Sequence, residues 1–246
     1  SEQMNLSQPL EMFDTIAGGT RRVLQLAEER HAQAMLLISS GAVYGRQPPE
    51  MHLVDESFNG APDANSPRSA YAEGKRVAEF LAATSTVPVK IARAFALVGP
   101  HLPLNAHFAA GNFLRDARNG GPILVSGDGT PVRSYLYASD LVIWLLRILC
   151  KGDAQRPYNV GSEHPISIKG LAEAVSQAAG GLAVDIRLTP GSEPPARYVP
   201  DTRRARHELG LDSLVPLPDA LRRTLDWARI QPARNAPAHA PPPPVD

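Results

Sequence analysis

Cysteine is nearly absent from this chain: Cys150 is the one example in 246 residues, so no intramolecular disulfide can form. That usage suits a reducing compartment, and a cytoplasmic protein is expected. Charge of either sign is not in excess, with 25 Lys and Arg against 25 Asp and Glu. A net electrostatic pull toward nucleic acid or an anionic membrane surface is thereby excluded. No apolar run approaches the length of a bilayer span, and no basic stretch followed by an apolar core marks the amino terminus. His164, His207 and His239 lack the spacing of metal ligands, and Met51, His52 and Glu56 form no recognisable site, so no metal is expected. Internal repeats are also missing. What remains is 43% hydrophobic content, enough to bury a core in one or two domains.

The elements alternate. The pattern predicts a helix over 12–29, a strand over 34–38, a helix over 71–84 and a strand over 89–96. Helix and strand in alternation argue for parallel βαβ units. Past Gly99-Pro100 the order is less regular. It reads as a helix near 107–119, strands at 123–125 and 133–137, an apolar helix over 141–150 ending at Cys150, and a strand at 157–160. Ser167 is placed to cap a helix running to about residue 179, followed by a strand at 184–188 and helices over 202–209 and 218–229. A long loop over 46–68, rich in proline, asparagine and aspartate, separates the second helix from the strand before it, and loops of that length are often functional.

Two motifs carry chemistry. Tyr71 and Lys75 stand four apart at the start of a predicted helix, on one face, where a lysine ammonium favours ionisation of a neighbouring phenol. Such a phenolate is a usable general base. Thirty-one positions earlier, Ser40 sits in a Ser-Ser-Gly-Ala-Val-Tyr-Gly run at the carboxyl end of the strand 34–38, the end where open α/β sheets bind their ligands.

With these motifs the chain resembles the extended short-chain dehydrogenases/reductases, specifically the NAD-dependent epimerase/dehydratase group that acts on nucleotide sugars. Ser40, Tyr71 and Lys75 match that family's serine/threonine, tyrosine and lysine. Ile91-Ala-Arg-Ala-Phe-Ala-Leu-Val-Gly-Pro100 is similar to the strand that leads into the substrate region. Gly127-Asp-Gly-Thr-Pro-Val-Arg-Ser-Tyr-Leu-Tyr-Ala-Ser-Asp140 is similar to the family's Gly-Asp-Gly…Arg…Asp segment. The implied fold is α/β, a partial Rossmann-type doubly wound parallel sheet with a smaller C-terminal α/β substrate-binding region. Residues 1–98 would be the later part of the dinucleotide-binding domain, 99–230 a mixed substrate-binding region, and 231–246 a proline-rich disordered tail. The family's opening strand, Gly-x-x-Gly-x-x-Gly turn and helix have no match here. Gly18-Gly19-Thr20 lies inside a helix and is expected to be a close-packing point.

The resemblance implies a cofactor, NAD with NADP as an alternative, contacted by Ser39, Tyr71, Lys75 and Phe95. It implies a nucleotide-sugar substrate contacted by Gly41, Ala42, Tyr44, Ala96 and the guanidinium of Arg133, which can clamp a diphosphate. His107 is a weaker candidate. Tyr71 would take a proton from a sugar hydroxyl that Ser40 holds in line. Dehydratases of this family carry Asp and Glu where Gly41 and Ala42 stand, so elimination is disfavoured and small residues there are expected to leave room for a keto sugar to turn. A UDP-hexose 4-epimerase is the leading expectation, with a keto-sugar reductase, a dehydratase or a non-enzymatic remnant as alternatives. Ala96 replaces an asparagine common in the 4-epimerases, and Thr15 or Ile16 stands near another family asparagine, which leaves the sugar open. A homodimer through the helices 12–29 and 71–84 is implied.

Overall fold

In a computed structural model, which describes residues 2–104 and 108–231, the chain begins with helices α1 (Glu2–Ser7) and α2 (Pro9–Glu29). Then follow β1 (Met35–Ser40), a 3-10 turn (Gly41–Tyr44), a second 3-10 turn (Pro67–Ser69), α3 (Ala70–Thr84), β2 (Val89–Ala94) and β3 (Leu97–Val98). The rest comprises α4 (Ala109–Arg118), β4 (Ile123–Val125), β5 (Val132–Arg133), β6 (Leu136–Tyr137), α5 (Ala138–Lys151) and β7 (Pro157–Val160). It closes with β8 (Ile166–Ser167), α6 (Ile168–Ala178), β9 (Val184–Ile186), β10 (Arg197–Tyr198), α7 (Arg203–Leu209) and α8 (Leu217–Ile230). His107 and the tail beyond residue 231 lie outside the described residues.

The first sheet has the order β1-β2-β7 and is parallel throughout, with Met35 opposite Val89 and Ile91 opposite Pro157. Side chains alternate across it. Leu37, Val89 and Ile91 face α2 and α3, packing on Leu24, Ala78 and Ala82. Ala92, Tyr158 and Val160 face the other way, onto Trp144 and Ile148 of α5 and Ala205 and Leu209 of α7. Helices on both faces of a parallel sheet make this a doubly wound α/β fold. A separate cluster joins α4, α6 and α8 around Phe113, Leu114, Ile123, Leu171, Val175, Leu221 and Leu225.

Several boundaries moved for physical reasons. β1 runs on through Ser40 because Ser39 and Ser40 keep register with Arg93 and Ala94. The expected strand 133–137 is two pieces in different sheets, since Val132–Arg133 pairs with β10 and β8 whereas Leu136–Tyr137 pairs with β3. Ser167 does cap α6, accepting a hydrogen bond from the Gly170 N–H at 3.0 Å. Gly18 and Gly19 are not a close-packing point: a side chain at either would meet open space. The tight approach between α2 and α3 is instead at Gly74, where a Cβ would come within 3.1 Å of Ile16.

Candidate active site

Ser40 ends β1 and starts the 3-10 turn Gly41–Tyr44, so its side chain has two local tasks. Its Oγ accepts a hydrogen bond from the Ala42 N–H at 3.2 Å, capping the turn. The same Oγ lies 3.4 Å from the hydroxyl of Tyr198. Ser40 is buried, yet it lies at the carboxyl end of a parallel strand, where ligands of open sheets bind.

α3 brings Tyr71 and Lys75 to that strand end. The Lys75 Nζ lies 5.9 Å from the centroid of the Tyr71 ring and donates to the Ile38 carbonyl at 2.8 Å. Burial pulls the Lys75 pKa below that of an ordinary lysine, with the nearby Glu79 carboxylate opposing it. The amino end of the helix is held by Asn5 of α1, whose side chain accepts from the Tyr71 N–H and donates to the Arg68 carbonyl, each at 2.8 Å. Arg76, on the same helix, donates to the carbonyls of Val43 and Gly60, tying the start of the segment that separates Ser40 from Tyr71 to its middle.

Tyr198 is the residue that the sequence did not disclose. It lies on β10, in a short strand between proline-rich stretches that carries no periodic signal, and it reaches the site through pairing with β5 and through bonds of Val199 to Gln47 and Val54. Its ring stacks on Phe95 with centroids 4.5 Å apart, and burial pushes its phenol up to about 12, with the Ser40 contact opposing and Tyr71 adding to the rise. Phe95 and Tyr198 together cover Gly41. A Cβ there would stand 2.5 Å from the Phe95 ring and 2.7 Å from the Tyr198 hydroxyl. The space that small residues at 41 and 42 were expected to leave for a turning sugar is therefore filled, at Gly41, by aromatic side chains.

Ser39, Tyr44 and Phe95 serve the protein more than the cleft. Ser39 Oγ donates to Glu79 at 2.5 Å and Glu79 holds Arg93 through two contacts of 2.9 and 2.6 Å. Arg93 donates to the Tyr44 hydroxyl, which donates to the Asn159 side-chain carbonyl, both at 2.8 Å. Asn159, fully buried, donates in turn to the carbonyls of Val54 and Asp201. Burial pushes the Tyr44 phenol up to about 12 against the pull of Arg93. The same network takes in Glu56, which accepts from the Asn159 N–H at 2.8 Å and lies 3.7 Å from Arg204; burial raises its pKa. Ser39 and Phe95, expected at the cofactor, are 2% and 5% exposed, with their side chains on Glu79 and Tyr198. Tyr44, expected at the substrate, is 3% exposed, with its hydroxyl engaged by both Arg93 and Asn159.

Arg133 fits an anion site. It is half-buried, donates to the carbonyls of Val132 and Ala196, and among the described residues no carboxylate pairs with it. Burial lowers its pKa, so the guanidinium charge is held there against a desolvation cost that an anion would relieve. Its guanidinium carbon lies 5.8 Å from the Tyr198 ring centroid. Further into the second cluster, a cavity of about 290 Å³ opens between α4 and β4, lined by Asn112, Arg115, Val125, Ser126, Gly127 and Arg187. Below it the Gly127–Thr130 turn is closed by Asp128, which accepts from Thr130 N–H and Oγ–H; Gly129 takes φ +76° against Lys169. Ala96 offers no polar side chain; its carbonyl accepts from Leu136 N–H, joining β3 to β6.

Comparison with known proteins decides the family, since residues 2–161 match the model of the NAD dependent epimerase/dehydratase family. The chain belongs to that family. That family is described by NAD dependence and by epimerase and dehydratase chemistry. Over 225 residues the chain is 33% identical to UDP-glucuronic acid decarboxylase 1 of Xenopus tropicalis, covering 90% of this chain and 52% of that protein. The chain thus spans about half the length of that relative. Among solved structures, the UDP-glucose 4-epimerase of Thermotoga maritima with UDP-glucose superposes with TM-score 0.80 at 21% identity, over 93% of this chain and 74% of that one. The dTDP-glucose 4,6-dehydratase DesIV of Streptomyces venezuelae, with NAD bound, gives 0.79 at 24%, over 94% and 70%. These two show the fold alone.

The residues present fit the family's cofactor in part. Tyr71 is partly exposed beside an ammonium group, and Lys75 offers donors at the carboxyl end of β1, whereas Ser39 and Phe95 are turned into the protein.

Proposed function

We propose that the site oxidises a ring carbon of a UDP-sugar acid and thereby promotes loss of its carboxyl group. Tyr71 accepts the proton of the sugar 4-hydroxyl, Ser40 orients that hydroxyl, and Lys75 stabilises the phenolate and holds a cofactor ribose. NAD, when bound, supplies the hydride acceptor. Arg133 takes the diphosphate, and the cavity beside Asn112 and Ser126 takes the nucleoside. A ketone at C4 lies β to the C6 carboxylate of a uronic acid. Carbon dioxide can therefore leave with its bonding electrons delocalised into the ketone, and the enolate needs only a proton before the ketone is reduced again.

The observation that carries this reading is the 33% identity to a UDP-glucuronic acid decarboxylase. It is supported by the packing over Gly41: decarboxylation needs neither the acid-base pair missing at Gly41 and Ala42 nor space for a sugar to turn over. A second reading, UDP-hexose 4-epimerisation through the same 4-keto intermediate, is favoured by the absence of a proton relay at those two positions. Offering the protein NAD with UDP-glucuronate and, separately, with UDP-glucose separates them by product NMR. A UDP-pentose from the first supports decarboxylation, and UDP-galactose from the second supports epimerisation.

For partners, we infer a nucleotide sugar and a second copy of this chain. Leu10 (78% exposed), Val23, Leu26 (52%) and Phe80 (66%) leave apolar surface on α2 and α3 that a pair of such helices from another copy would cover. A cytoplasmic location remains the reading that cysteine usage favours.

A further inference from the structure

Tyr71, Lys75 and Glu79 form a ladder at i, i+4 and i+8 on α3, about 6 Å apart per step along the helix. The upper two rungs carry the proposed chemistry, and the third touches neither of the expected ligands. Its carboxylate is instead almost enclosed, with 13% of the side chain exposed and its Arg93 partner at 14%. It accepts from Ser39 Oγ at 2.5 Å on β1 and from two nitrogens of Arg93 on β2. Ser39 and Ile38 are adjacent on β1, and Lys75 donates to the Ile38 carbonyl. The one helix face is therefore pinned to the strand end at two neighbouring points, one by Lys75 and one by Glu79.

Resting on the functional reading above, we propose that Glu79 is a positioning residue, which sets the height and rotation of α3 on β1 and β2 so that Lys75 lies beside Tyr71 at the strand end that carries Ser40. Packing alone specifies this poorly. The residues of α3 buried against the sheet include Ala78 and Ala82, small side chains on which a helix can slide, whereas a two-oxygen carboxylate held by a hydroxyl and a fork of guanidinium nitrogens fixes both coordinates. Arg93 extends the tie to Tyr44, so the turn that follows Ser40 is held by the same group.

The test reads the Lys75 amine directly. The chain has four lysines, Lys75, Lys90, Lys151 and Lys169, so reductive methylation with carbon-13 gives four lysine NMR signals besides that of the terminal α-amine, assignable by Lys-to-Arg replacement. The groups that face Lys75 are Tyr71 and Glu79 on α3 and the Ile38 carbonyl on β1. Glu79→Gln is expected to move the Lys75 titration midpoint to lower pH, because a carboxylate that supports the ammonium is gone, and Glu79→Asp is expected to recover part of that shift. Ser39→Ala keeps the Glu79–Arg93 pair but cuts the tie to β1; it is expected to release the amine toward solvent and move its midpoint up, toward those of the other three lysines. If Glu79→Gln does not fold, Ser39→Ala gives the result alone. A Lys75 midpoint unchanged in Ser39→Ala and in every folded Glu79 variant, whatever the loss of thermal stability, would overturn the proposal and leave Glu79 a structural ion pair. Neither substrate nor cofactor enters the measurement, so missing turnover counts against the functional reading and an unmoved Lys75 counts against Glu79.

Discussion

The hydroxyl of Tyr198 lies 3.4 Å from Ser40 Oγ, although 158 positions separate the two residues. The serine is thus not oriented by its own strand alone. A phenol that burial keeps protonated up to about 12 stands beside it, and is itself braced by Phe95.

Replacing Tyr198 with Phe keeps the stack on Phe95 and removes only the hydroxyl. Stability is expected to fall by about 1 kcal/mol, the usual net worth of one hydrogen bond. Turnover is expected to fall roughly 10-fold, about 1.4 kcal/mol of transition-state stabilisation, as Ser40 loses a constraint. Steady-state kinetics beside urea unfolding separates the two effects, and unchanged kcat would remove Tyr198 from the site.

Gly41→Ala addresses the space under the aromatic pair. With its Cβ 2.5 Å from the Phe95 ring, the variant must shift Phe95 or Tyr198, and a loss of about 1–3 kcal/mol is expected from overpacking. A thermal midpoint equal to the parent's would mean that the region is open, and the expectation of room for a turning sugar would return.

Asn159→Leu leaves the Asp201 carbonyl without its donor and the Tyr44 O–H without its acceptor, while the Val54 carbonyl keeps the Asp201 N–H. At about 1–3 kcal/mol for each buried group left unpaired, the loss is expected to be on the order of 3 kcal/mol or more. Urea denaturation at neutral pH measures it.

Alkali should unfold the protein through its phenols. Tyr44, Tyr135 and Tyr198 are each pushed up to about 12 by burial, against about 10 in an unfolded chain. Between those values the unfolded state has released protons that the native state still binds, so stability is full below pH 10 and drops as pH rises toward 12. The slope is roughly 1.4 kcal/mol per pH unit for each phenol that stays protonated in the native state while it is ionised in the unfolded one. Absorbance at 295 nm is expected to show these three tyrosines ionising together with the loss of circular dichroism; ionisation without unfolding would contradict the burial.

Much of this was legible in the sequence for local reasons. Alternating helix and strand periods announced the parallel sheet, and the i, i+4 spacing of Tyr71 and Lys75 put them on one face of α3. Ser40 at a strand end followed from a short apolar run closed by serines. Non-local pairings were not legible. Tyr198 comes to Ser40 through a two-residue strand, and Asn5 reaches Tyr71 from a six-residue helix, both too short to leave a period. Ser39 and Tyr44 sit in the motif yet spend their hydroxyls on Glu79, Arg93 and Asn159, partners that no local pattern connects.

The most direct test of the central claim, that Tyr71 starts the oxidation of a nucleotide sugar, is absorbance at 340 nm after mixing the protein with NAD and UDP-glucuronate in a stopped-flow instrument. The expected result is a transient rise in the parent protein, slowed roughly 10²- to 10⁴-fold in Tyr71→Phe, the usual range for removing a general base. No rise in the parent, or an equal rate in the variant, would contradict it.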